Sequence, residues 1–292
     1  ARFIFRYLDE SDRLLTVAEL KQQDLSMADR WILARLSRAA QEVNSSMEQY
    51  NLHEASRTIY RFFWHEFCDW YLEMIKLHPE RSKPVLLFVF ESALRLMHPF
   101  MPFITEELWQ NIPHLGESIV IATYPEFDPA LADAEAEAQA EGIQDGIAKV
   151  RNIRSEMNVD AKQPVVVRIA TQDEKVASLL SSARDYVLRL ATVSQFDIVP
   201  QLSGDRLAAQ AVAAGCSLEV PLEGLIDNNA EGARLGKELE RVQKEIDGLD
   251  RKLSNASFVE RAPAAVVEEN RRRLADYQDQ AAKLRAGIER LR

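Results

Sequence analysis

The chain has 292 residues, 47% of them hydrophobic and 28% charged, which is enough apolar material for two or three packed domains and excludes global disorder. Ten glycines and eleven prolines exclude collagen-like and low-complexity folds. The net charge of −10 gives no whole-chain pull on nucleic acid. The two cysteines, Cys68 and Cys216, are too few for a disulfide framework or a four-cysteine zinc site and read as reduced cytosolic thiols.

No run of about 18 uncharged apolar residues is present, so no membrane span is expected. The start, Ala1-Arg2-Phe3-Ile4-Phe5, has no signal-peptide layout and no initiator Met, as in a piece of a longer chain. Charge is uneven. Residues 234–292 hold 14 Lys/Arg against 11 Asp/Glu, a net of +3, and the rest of the chain carries −13. A basic terminal segment on an acidic body suggests an arm with its own partner.

In chain order, Trp31, Leu33, Leu36, Ala40, Val43 and Met47 recur at helical steps and predict a helix over 27–50. Asn51, with Glu54 three residues on, reads as a capping box opening a helix over 52–76. Its apolar face (Ile59, Phe62, Phe63, Phe67, Trp70, Tyr71, Met74, Ile75) is broad enough to be central in a bundle. Pro84 fits the first turn of a helix ending near Met97, Pro99 and Pro102 break it, and a fourth helix is expected near 104–112. Ile119 to Ala122 reads as a short strand.

Residues 126–146 carry seven acids and no base, a solvated connector that becomes helix through 131–157. Strands are expected at 164–170, near 193–199 and at 216–222, with a helix over 173–190 between the first two. From Leu235 on, Leu239, Val242, Ile246, Leu249 and Leu253 keep heptad steps, as do Leu274, Tyr277, Ala281, Leu284, Ile288 and Leu291. The breakers between the two runs, around 254–263, predict an antiparallel self-paired hairpin. Arms of about 22–28 residues would reach about 33–42 Å. The expected fold is therefore mostly α: a helical bundle over 1–125, an acidic connector and small α/β unit over 126–228, and a coiled-coil hairpin over 229–292.

Catalytic motifs fail one by one. Gly232 to Lys237 has the wrong glycine spacing for a phosphate loop and lies inside the heptads. His65 and Cys68, one turn apart among aromatics, read as a packed core pair rather than metal ligands. His98 before Pro99 reads as a helix end, and Glu106-Glu107 as helix N-terminal charge. No nucleophile with its base is evident. From the residues alone, the chain is a noncatalytic binding module with a projecting arm.

A set of motifs carries a resemblance over essentially the whole chain. These are Ala28-Asp29-Arg30-Trp31-Ile32-Leu33, Phe67-Cys68-Asp69-Trp70-Tyr71-Leu72-Glu73, and His98-Pro99-Phe100-Met101-Pro102-Phe103-Ile104-Thr105-Glu106-Glu107-Leu108-Trp109. They continue with Val150 to Asn158, Pro221 to Asp227, and Phe258 to Glu268 around Ala262-Pro263. In this order the set resembles the C-terminal part of bacterial valyl-tRNA synthetases. The helical block alone would also suit the isoleucyl and leucyl relatives; the Ala-Pro turn between heptad runs points to the valyl family. A helical coiled-coil scaffold that captures a protein is the alternative of another class.

The resemblance implies an anticodon-binding bundle and an arm at the tRNA elbow. It implies anticodon contact by Arg2, Phe3 and Leu72, where an aromatic stack on a splayed base contributes about 1–3 kcal/mol. For the elbow or backbone it points to Arg251, Lys252, Arg271, Arg272 and Arg273, flanking the seam near the hairpin's open end. Arg151 and Arg154 are expected to fix their helix against the bundle rather than to meet RNA. The whole family enzyme is a cytoplasmic, ATP- and magnesium-dependent ligase that charges valine tRNA and edits threonine. Its His-Ile-Gly-His and Lys-Met-Ser-Lys-Ser types of motif do not occur here, so these residues are expected to bind tRNA as a monomer, with no cofactor or metal of their own.

Overall fold

The computed structural model describes residues 1–9, 11–204, 207–225, 228–255 and 263–290. It is mostly helical with one small mixed sheet, and it divides into two compact units: residues 1–148 with 173–191, and residues 149–172 with 192–292.

The first unit opens with two single-turn helices, α1 (Arg2–Phe5) and α2 (Val17–Leu20). The long α3 (Met27–Glu48) starts on a reciprocal capping box between Ser26 and Asp29. Tyr50, at φ 59°, turns the chain into α4 (Leu52–Tyr60). The expected Asn51 cap is corrected here: its side chain makes no capping bond.

The helix expected over 52–76 is continuous but not uniform. A π-helical stretch, Arg61–Tyr71, lies between α4 and α5 (Leu72–Ile75). Phe62 and Phe67 are buried in this stretch, and Leu72 just after it packs half-buried on the same core. Phe67 also stacks with Phe63, Tyr71 and Phe90, ring centroids 5.5–6.4 Å apart.

Helix α6 (Pro79–Met97) starts at Pro79 and not at Pro84, which sits inside it. Both prolines suit a first turn, and the sequence offers no local reason to choose the earlier. Helix α7 (Pro102–Trp109) uses Pro102 as its first residue, so that proline starts a helix besides ending one. Ile119–Ile121 is a 3-10 turn, not a strand; the Ser118 side chain accepts from the Val120 N–H and closes it.

The connector is docked rather than solvated. A second 3-10 turn, Pro129–Leu131, precedes α8 (Ala134–Glu156). Ala136 and Ala140 of α8 are buried in the bundle core. Asp133 pairs with Arg30 at 3.0 Å, and Glu137 pairs with Arg38 at 2.8 Å and Arg35 at 3.3 Å. Alternating Ala and acid therefore makes an amphipathic face matched to basic α3.

The segment expected as one helix over 173–190 is two, α9 (Glu174–Ser182) and α10 (Arg184–Leu190), broken at Ala183. Asp173 caps α9 by accepting from the N–H groups of Lys175 and Val176. Tyr186 and Leu190 of α10 pack on the bundle core.

The second unit holds a sheet of order β2-β1-β4-β3: β1 (Val165–Ala170), β2 (Val193–Val199), β3 (Ala208–Ala213) and β4 (Cys216–Pro221). β1 and β2 are parallel; β4 is antiparallel to both β1 and β3. Strand β3 has no counterpart in the expectations, because Ala-Ala-Gln-Ala-Val-Ala has helix-like composition. The β3–β4 turn makes it a strand: Ala214 and Gly215 have φ of 47° and 76°, fitting a two-residue hairpin of the primed type.

Two long helices follow, α11 (Asn228–Leu253) and α12 (Ala264–Arg290). They pack along one another. Val242, Ile246 and Ala281 are buried together, with Leu239, Leu274, Tyr277 and Leu284 packed around them, and Leu249 and Val267 are also buried. Early residues of α11 face late residues of α12: Leu235 lies beside Gly287, and Arg285 donates to Gln243 at 2.8 Å. The sequence motif Phe258 to Ala262 and the seam residue Leu291 lie outside the described residues.

Candidate nucleic-acid interface

The anticodon-side candidates lie together in the first unit. Arg2 is exposed on α1, and Phe3 packs its half-buried ring on the bundle core, 4.9 Å from the Tyr7 ring. Leu72 packs on the same core from α5. Lys76, one turn after Leu72, places its ammonium 5.7 Å from the Phe3 ring centroid, so the two chain segments meet at this point. Lys76 is also paired with Glu73.

Rigid polar contacts support this corner. Asp29, 1% exposed, accepts from Ser26 Oγ at 2.6 Å, Ser82 Oγ at 3.1 Å and Tyr71 Oη at 2.8 Å. It ties together the N-terminus of α3, α6 and the residue just before Leu72. Burial, followed by the charge of Asp29, pushes the Tyr71 hydroxyl well above its ordinary range, so it stays a donor. Segment 9–19 is held by Lys83 on Asp9 and Asp12, and by Arg13 with Glu19. The Lys83 and Ser11 hydrogen bonds hold Asp9 down to about 2. Those from Arg13 and Thr16 do the same for Glu19.

The metal-like pair behaves differently from expectation. His65 is exposed and bonds Asp69 at 3.2 Å through Nδ1; only Cys68 is half-buried, and burial pushes its thiol up. Position 65 lies on the helix face opposite Ile59, Phe63, Phe67 and Tyr71, so the aromatic neighbours in sequence do not enclose it. His98 does end α6, its Nδ1 2.8 Å from Thr105 Oγ1. Glu106 accepts from Gln110 and Ser118 and is a structural acceptor.

Arg154 is 7% exposed and donates to the carbonyls of Asp160, Ala161 and Thr192. It fixes the end of α8 to the loops before β1 and β2, in place of the bundle contact expected. Arg151 is exposed.

On the arm, Arg251 and Lys252 are exposed in the last turn of α11. Arg271 and Arg272 are exposed and pair with Glu268 at 3.6 Å and Glu269 at 3.0 Å. Arg273 hydrogen-bonds the Tyr277 side chain, which raises its pKa. These five cations lie at the ends of α11 and α12 nearest the connecting segment, not at the open end. Exposed pairs of this kind contribute little to stability and exchange readily for phosphate.

Sequence reasoning missed Lys76 and Arg189. Arg189 of α10 donates to the Lys76 carbonyl at 3.1 Å. Lys76 carried a local signal, lying four residues after Leu72 on one helix face; Arg189 carried none. Also missed was an apolar groove of about 520 Å³ lined by Ser56, Ile59, Tyr60, Trp64, Phe100 and Met101.

Among the described residues, no three His, Cys, Asp or Glu side chains converge as metal ligands, and no helix is long and apolar enough to cross a membrane.

Comparison with known proteins finds two family matches. Residues 29–169 match the model of the anticodon-binding domain of tRNA ligase, and residues 227–292 match the valyl tRNA synthetase tRNA binding arm. The chain is 40% identical over 275 residues to a valine–tRNA ligase of Geobacillus stearothermophilus, covering 91% of this chain and 31% of the relative. Similar relatives are the valine–tRNA ligases of Listeria monocytogenes (39% over 274 residues; 91% and 31%) and Bacillus subtilis (39% over 260 residues; 86% and 30%). The chain thus spans about a third of the length of the curated relatives it matches. By these matches residues 29–169 are similar to the anticodon-binding domain of tRNA ligases, and residues 227–292 to the tRNA-binding arm of valyl-tRNA synthetases.

Proposed function

We propose that this chain is the tRNA-recognition region of a cytoplasmic valine–tRNA ligase, reading the anticodon with one part and holding the tRNA elbow with the other. The observation that carries the reading is the order of two independent family matches on one chain, a general anticodon-binding domain followed by an arm specific to the valyl family. Functionally the chain divides into a bundle at 1–125, a connector and small α/β unit at 126–228, and the arm at 229–292. The arm acts as an antiparallel coiled-coil hairpin, and the chain is a monomer.

At the anticodon, Phe3 offers a ring face to a splayed base, Leu72 packs on a neighbouring base, and Arg2 meets the backbone. What supports this is the approach of Phe3 to the α5 end marked by Lys76. At the elbow, Arg251, Lys252, Arg271, Arg272 and Arg273 bind phosphates and stack on an exposed base pair. Their guanidinium forks suit both tasks. The binding energy holds the tRNA so that its acceptor end reaches a catalytic site elsewhere in the ligase.

ATP and magnesium belong to the whole ligase. The residues present here do not make their site: neither family nucleotide-binding motif occurs in the sequence. No step is assigned to ATP on these residues.

The test is fluorescence anisotropy of the chain with a valine tRNA transcript at about 50 and 200 mM salt. An anticodon-swapped and an elbow-disrupted transcript run beside it. Affinity is expected to fall with each change, with a salt slope corresponding to about 3–5 phosphates. Equal binding of all three transcripts would leave only nonspecific charge attraction and refute the reading.

A further inference from the structure

We propose that the anticodon-side surface continues from Arg2, Phe3 and Leu72 onto Lys76 and Arg189, and that these two cations bind phosphates of the RNA loop whose base lies on Phe3. The inference rests on the anticodon reading above and extends it to residues that no motif marks.

Three observations carry it. The Lys76 ammonium stands 5.7 Å from the Phe3 ring centroid, and its side chain is 31% exposed. Phe3 is half-buried, so part of its ring remains open beside that ammonium, and single-stranded RNA recognition uses such a pairing, the ring for a base and the cation for its phosphate. Arg189 is exposed and donates one guanidinium N–H to the Lys76 carbonyl at 3.1 Å, at the end of α5. One guanidinium nitrogen is engaged there, and a guanidinium carries five N–H donors in a rigid fork. Finally, α10 is anchored: Tyr186 and Leu190 pack on the bundle core, so Arg189 is presented from a fixed helix.

The electrostatic context explains why such a cluster matters. Residues 1–233 carry −13, and the arginines of α3 at positions 30, 35 and 38 are already paired with Asp133, Glu66 and Glu137. RNA affinity on this unit therefore depends on cations outside those pairs. Arg2, Lys76 and Arg189 form such a set, with Glu73 as the carboxylate that opposes it.

The alternative is that Arg189 only caps α5. Arg189→Gln separates the two roles, because the amide still donates to the carbonyl but carries no charge. Lys76→Gln removes the other charge. The full 292-residue chain is titrated by anisotropy with a 17-nucleotide valine anticodon stem-loop RNA between about 50 and 200 mM salt, with Phe3→Ala as a parallel arm. Each Gln variant is expected to weaken binding about 5- to 15-fold at 50 mM and to make the log–log salt slope shallower by about 0.7–0.9, with Tm unchanged. Arg189→Lys is expected to restore the slope. If Phe3→Ala loses binding while both Gln variants keep the unsubstituted affinity and slope, the proposal fails and the anticodon reading stands. If the unsubstituted chain does not bind the stem-loop at 50 mM, both fall together.

Discussion

Asp29 shows how one residue joins fold and site. It is a buried carboxylate whose oxygens accept from hydroxyl donors at three places in the chain, Ser26, Tyr71 and Ser82. Asp29→Ala would leave two buried hydroxyls without their acceptor and remove the α3 cap. A loss of about 2–4 kcal/mol in denaturant-induced unfolding is expected. The helical period showed a core face near Trp31, but not that the neighbouring acid would be buried, because its partners come from residues 42 and 53 positions away. The same scale carries a pH prediction. Asp9 and Glu19 have folded pKa values near 2, below their ordinary ones, so their contribution is fully present above about pH 4.5 and is lost as pH falls toward 2. Amide-proton protection of residues 11–20, corrected for intrinsic exchange, is expected to drop across that window before the bundle core loses its own.

At the scale of elements, the arm was the most legible part. Heptad spacing marks Val242, Ile246 and Ala281, which form the buried cluster between α11 and α12, and Leu249, which is buried as well. Its core is one residue deep, so Ile246→Ala is expected to cost about 1–3 kcal/mol and to lower the protection of residues 239–253 selectively. The arm also carries glycines within its helices. A Cβ at Gly248 would meet nothing within 4 Å, and one at Gly287 would meet only the end of Leu235 at 3.4 Å. Gly248→Ala is expected to stabilise the arm by about 0.5–1 kcal/mol in a thermal melt followed by circular dichroism. Elements were misread where composition and geometry diverge. Aromatic neighbours in sequence suggest a packed His65, but it is exposed because it lies on the helix face away from Phe63, Phe67 and Tyr71. Alanine-rich β3 owes its strand character to a turn and a partner rather than to propensity.

For the whole molecule, the balance of charge bears on the RNA binding proposed above. A chain of net −10 would need local groups of cations for that purpose, and the proposed ones lie at the ends of the arm helices and at the Phe3–Lys76 corner. Anisotropy with full valine tRNA is expected to weaken for Arg271→Ala and Arg273→Ala, each by a fraction of the 3–5 phosphates proposed, while the isolated anticodon stem-loop is bound unchanged. A stem-loop affinity that fell with the arm variants would show that the two regions do not read separate parts of the RNA.

The sequence by itself determined the helical class, the seam of the arm, three of the four strands, and the motif set that points to tRNA. These depend on local periodicity, on turn residues and on short runs, all written within a few residues of one another. Only the tertiary structure decided that the acidic connector docks on α3, that Asp29 is buried, and that α10 returns to the bundle to place Arg189 against Lys76. Those contacts join residues about 40 to 113 positions apart. Their energy comes from burial and charge pairing across elements, which no local pattern encodes.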